Sequence, residues 1–211
     1  MSRSETIRAA SGAAAVEFAL VAPLLGLLLL ATADAALFLR TYFRVDRVAT
    51  ELANVMSQHP AGRVSAADAV RYFSGPTALY FTGAQTIAGD GISVTSPPGT
   101  TIITVIEGRP ETETHRHVVA WQCRRGATSV PSRFGSIESV NPLPGGFVLA
   151  PGQTVFVVEV AAPARLWWFS RVFLDWYGGE ATQRDTLIYS FAIMRPRVGR
   201  LLPAPGVTIC P

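Results

Sequence analysis

Glu17 is the only charged side chain between Ala13 and Ala33, a run of small and branched apolar residues. A carboxylate inside a bilayer core costs about 2.5–3.5 kcal/mol on insertion scales, so an acid there needs something to neutralise it. Two other groupings could do chemistry. Glu111, Glu113, His115 and His117 alternate, which on a strand aims all four at one face. That is a conceivable divalent-metal seat, and equally a solvated polar strand edge. No distant residue is identifiable to complete a ligand shell, so no metal or other cofactor is assigned. The two cysteines, Cys123 and Cys210, lack CxxC spacing; in an extracytoplasmic domain they are expected to pair, and otherwise to sit as buried thiols. GxSxG, HExxH, Walker and Rossmann patterns are all missing, and the chain does not read as an enzyme.

The elements that hold these residues follow from hydropathy. A helix from Ala13 to Ala33 spans about 31 Å, the thickness of a hydrocarbon core. Apolar residues continue at helical spacing through Leu37, Phe38, Phe43, Val45, Val48, Leu52, Val55 and Met56, with no Gly or Pro until Pro60. One helix over about 14–58 is therefore expected, its first half in lipid and its second half amphipathic. A competing reading is a secretory signal peptide, because Ala31/Ala33 or Ala33/Ala35 offer small residues for signal peptidase. Arg3 and Arg8 before the run favour a cytoplasmic N-terminus, but Arg40, Arg44 and Arg47 after it leave orientation undecided by charge.

Beyond Pro60, Ser65 and Asp68 read as a capping box for a short helix ended by Gly75-Pro76. The stretch Ala78–Gly108 supplies β-branched runs broken by Asp90-Gly91 and by Pro97-Pro98-Gly99. His115–Cys123, Thr154–Pro163 and Asp185–Arg197 read as further strands, the second of them central, and Gly126–Gly146 as a loop-rich insertion. Between Pro163 and Gly179 a short helix is expected, carrying Trp167, Trp168, Phe169, Phe173, Trp176 and Tyr177. Adjacent Trp167 and Trp168 cannot share one helix face. The rings are thus divided between a core and an interface with a neighbouring subunit or the membrane. Arg124-Arg125 reads as a solvated pair. The fold class is α+β, with the long N-terminal helix packed on a mainly antiparallel sheet. All 18 basic residues are arginine, scattered without a stripe, so no nucleic-acid partner is expected.

One resemblance runs through these residues. Gly12, four residues, then Glu17 and Phe18 resembles the processing site of Tad-type (Flp-class) type IV pilins and pseudopilins. The stretch "GAAAVEFALVAPLL" is similar to TadE-like minor pilins, as are Val157-Val158-Glu159-Val160 and Met194-Arg195-Pro196-Arg197 further on. The resemblance implies a leader over 1–12 and cleavage between Gly12 and Ala13 by a prepilin peptidase. It also implies a transmembrane helix over 13–36, its amphipathic extension over 37–60, and a periplasmic domain over 61–211. Glu17 and Phe18 would serve processing and assembly in the inner membrane. The implied partners are the major pilin, other minor pilins and the inner-membrane assembly platform. The implied role is pilus assembly, adhesion and biofilm formation. Two other readings are a secreted binding domain released by signal peptidase and a single-pass membrane metal-dependent protein.

Overall fold

A computed structural model of the chain describes residues 3–59, 63–109, 116–140, 143, 147, 149–164 and 187–210. Helix α1 runs Arg3–Ser57 without a break, carrying Pro23 inside it and passing straight through the Ala31–Ala35 stretch. By length and composition it is able to cross a membrane. The chain divides into two compact units, the first including Met1–Arg40 and the second Thr41–Ala164 with Asp185–Pro211.

In the first unit the described side chains of α1 are largely exposed, Phe18, Leu20 and Leu29 among them. A helix that leaves its apolar side chains bare suits a hydrocarbon solvent.

In the second unit α1 acquires a buried stripe. Val45, Val48, Ala49, Leu52, Ala53 and Met56 are fully or almost fully buried. Their spacing puts them on one face of the helix, and burial of each larger side chain is worth about 1.5–3 kcal/mol. They share one core with Ile103 and Val105, with Trp121, and with Phe156, Val158 and Val160 of the sheet. That sheet has the order β3-β2-β4-β5, from strands β2 (Thr100–Arg109), β3 (Arg116–Gly126), β4 (Thr154–Pro163) and β5 (Leu187–Met194). Every neighbouring pair is antiparallel. The α+β plan is as expected, with β4 in the interior of the sheet. Ser190 Oγ on β5 donates to Asp46 Oδ1 of α1 at 2.8 Å, which clips helix to sheet.

The other face of the sheet is covered by the segment after β3. Phe134, Leu143 and Leu149 pack there on Ile106, Val119, Val155 and Val157. Both faces of β4 are therefore buried, which explains its nearly continuous apolar sequence.

Ser65 caps the three-residue helix α2 (Ala66–Asp68) through the reciprocal capping box, and a π-helical turn, Ala69–Ser74, follows. Two parts of the sequence reading need correction. Leu79–Ala88 is helix α3, not a strand, and residues 92–94 are not extended into the sheet. Only Thr82, Thr86 and Ile87 of its ten residues are β-branched, and Tyr80, Phe81, Ala84 and Ala88 bury its inner face. The chain also adds a parallel pair that periodicity could not reveal, β1 (Arg63–Val64) with β6 (Leu202–Pro203). Strands of two residues carry no readable pattern.

Candidate functional site

The N-terminal grouping sits on a regular helix. Gly12, Ala13, Glu17 and Phe18 all lie within α1, which places Glu17 about one turn from Ala13 and about 7.5 Å along the axis from Gly12. Glu17 and Phe18 are exposed, Phe18 at 71%. An exposed acid and ring at the edge of an exposed apolar helix are available to a neighbour rather than committed to this chain's own core. Residues 12–54 match the family model of TadE-like proteins. The TadE-like segment begins at Gly12 and ends at Asn54, so it includes Glu17, the apolar run and nearly all of the buried stripe of α1. No curated protein and no solved structure matches the chain.

Beyond the TadE-like segment, Cys123 and Cys210 are joined in a disulfide that closes a separation of 87 residues. The bond fixes the tail to β3, where Trp121 Nε1 also donates to the Leu201 carbonyl at 2.6 Å. Val64, Leu201 and Ile209 are thereby held in the helix-side core.

Of the possible metal grouping only His117 is among the described residues. Glu111, Glu113 and His115 lie outside them, and the buried His117 uses Nε2 to accept from the Leu149 N–H at 2.9 Å. That makes His117 an anchor for the covering segment. Trp167, Trp168, Phe169, Trp176 and Tyr177 also lie outside the described residues. Arg125 is not a solvated charge: its guanidinium donates to the carbonyls of Gly75 and Pro76 and stacks over Phe81. Arg124 donates to the Thr128 carbonyl at 2.8 Å.

Among the described residues a dense polar cluster surrounds Glu159, which sequence reasoning noted only as part of a motif. Glu159, almost fully buried on β4, accepts at Oε1 from the Arg133 N–H at 2.8 Å and from Tyr189 Oη at 2.6 Å. Ser132 Oγ donates to Oε2. A buried carboxylate is tolerable only when so many donors replace its water. Burial, and then the bond to Glu159, push the Tyr189 hydroxyl well above its ordinary value, so it stays a donor. The Arg133 guanidinium lies 3.9 Å from the centre of the Tyr189 ring. The signal was available: one acid in an apolar central strand requires partners.

A second buried polar group closes the end of α1. His59 Nδ1 lies 2.7 Å from Tyr80 Oη, while its Nε2 is buried with no hydrogen-bond partner. Tyr72 meets the imidazole edge-on at 4.9 Å. Burial lowers the His59 pKa against the opposing pull of Asp68.

Proposed function

We propose that this chain is a minor pilin or pseudopilin of a Tad-type pilus assembly system. The observation that carries the reading is the TadE-like match over residues 12–54, which starts at the glycine of the Gly12…Glu17-Phe18 pattern. The helix is inserted in the inner membrane with its C-terminal domain in the periplasm. A prepilin peptidase cuts between Gly12 and Ala13, where the lack of a side chain at Gly12 gives access to the backbone. Cleavage creates an ammonium at Ala13 one turn from Glu17, and in the fibre Glu17 of one subunit neutralises the amino terminus of the next. The acid then also sits within the first two turns of the mature helix, towards the end where the macrodipole favours negative charge. The disulfide supports export of the domain, since such bonds persist in oxidising compartments. Major and minor pilins and the assembly platform are the partners, and adhesion and biofilm formation are the outcome. The role is structural rather than enzymatic.

The test is the mature N-terminus, read by mass spectrometry of the protein recovered from membranes. A start at Ala13, with Gly12→Leu retaining the leader, is the expected result. A start at Asp34 or Ala36, or normal processing of Gly12→Leu, defeats the assignment.

A further inference from the structure

The outer residues of β5 form a strip that the assembly reading does not use. Tyr189 and Phe191 alternate along the strand, and Arg195 continues the same two-residue period just past its end. Phe191 stacks edge-on with Phe134 at 5.4 Å and lies 6.1 Å from Tyr189, yet is 41% exposed. Arg133 caps the strip at Tyr189, and at the other end Arg195 lies 5.4 Å over the ring of Phe147, itself 43% exposed. The strip thus runs cation, ring, ring, then cation and ring, over about 20 Å from Tyr189 to Arg195.

Both cations are exposed, and among the described residues neither is ion-paired: the carboxylates of this region are spent on Arg109 or enclosed around Glu159. A guanidinium positioned over a ring still offers N–H groups to a carboxylate, which it can grip in a bidentate fork. Glu159 holds the Tyr189 hydroxyl and the Arg133 backbone from beneath, so the strip is fixed before any ligand arrives.

We propose that this strip binds an acidic polysaccharide of the uronate class, its sugar C–H faces lying on Phe191 and Phe147 and its carboxylates on Arg133 and Arg195. A polymer that repeats a carboxylate beside an apolar ring face matches the alternation of cation and ring. A nucleic acid would need a continuous basic stripe, and a membrane surface would draw in protruding rings rather than half-covered ones. The net charge of +3 adds a mild general attraction for polyanions.

The experiment uses the full chain in phosphatidylcholine nanodiscs, titrated with polygalacturonate, neutral dextran and single-stranded DNA. Polygalacturonate should bind, and its affinity should fall at least tenfold between 50 and 300 mM salt, estimates for an ionic interface. Phe191→Ser and, separately, Arg195→Gln should each weaken binding about tenfold, with Arg195→Gln leaving the melting temperature unchanged because it sits beyond the strand. No binding, equal binding of dextran or DNA, or wild-type affinity in Arg195→Gln overturns the proposal. The mature N-terminus is read independently, so failure of this binding is distinguishable from failure of the assembly reading.

Discussion

Replacing Glu159 by alanine should unlatch the covering segment from the sheet. The carboxylate accepts from Ser132 Oγ, the Arg133 N–H and Tyr189 Oη, and the side chain is 1% exposed. Each hydrogen bond to a charged group is worth about 1.5–3 kcal/mol, and each buried donor left unmade costs about 1–3 kcal/mol. Ser132 lies near solvent and its hydroxyl can turn outward, so two donors, those of Arg133 and Tyr189, carry most of the effect. The expected loss is about 4 kcal/mol, which for a chain of this size lowers the melting temperature by roughly 8–16 °C. Glu159→Gln keeps one oxygen for Arg133 and Tyr189, and should lose only about 1–2 kcal/mol. The assay is thermal unfolding in mild detergent, with hydrogen exchange read at 132–134. In the alanine variant that segment should lose protection before the β2–β4 ladder does. A double-mutant cycle with Tyr189→Phe should show coupling of about 1–3 kcal/mol. Additive losses, or an alanine variant within about 0.5 kcal/mol of wild type, would refute the idea that the carboxylate organises this face.

Three further outcomes are expected. Removing the disulfide by Cys123→Ser with Cys210→Ser should destabilise the second unit by about 4.6 kcal/mol on the chain-entropy model for its loop of 87 residues. Dithiothreitol should lower the wild-type melting temperature to that of the variant and leave the variant itself unaffected. Burial holds the folded His59 pKa below the ordinary histidine value of 6.5, so the unfolded chain binds more protons in mild acid. Its contribution to stability is thus complete above pH 6.5 and lost as pH falls from there towards the folded pKa; His59→Phe should flatten that part of a stability profile taken between pH 5 and 8. Gly126→Ala should lose about 2–3 kcal/mol by thermal unfolding, because φ there is +111° and a Cβ would meet the Gly99 carbonyl oxygen at 2.2 Å.

Long periodic or continuous apolar segments were readable because burial acts on many residues at once. The helix of α1, the strand Thr154–Pro163 and the Ser65–Asp68 cap follow from pattern alone. Leu79–Ala88 misled because aromatic and β-branched residues stand among its alanines; the decisive term was tertiary, the burial of Tyr80, Phe81 and Ala84 in the common core. The Gly12 and Glu17 grouping was legible because a charge in an apolar run is costly wherever the chain goes. The partners of Glu159 were not, since Ser132, Arg133 and Tyr189 lie 26–30 residues away and no local rule pairs them. Arg125 was misjudged for the same reason: its acceptors are backbone carbonyls about 50 residues earlier, which side-chain identity cannot disclose.

The buried stripe of α1 also has a mechanical meaning. Tension applied along the helix axis would be carried by Val45, Val48, Leu52 and Met56 sliding against the sheet, and by the Asp46–Ser190 and Ser57–Arg197 bonds loaded together. Contacts strained in parallel must fail at once, whereas a chain peeled from one end breaks them singly. Within the second unit, α1 would therefore part from the sheet all at once under load rather than residue by residue.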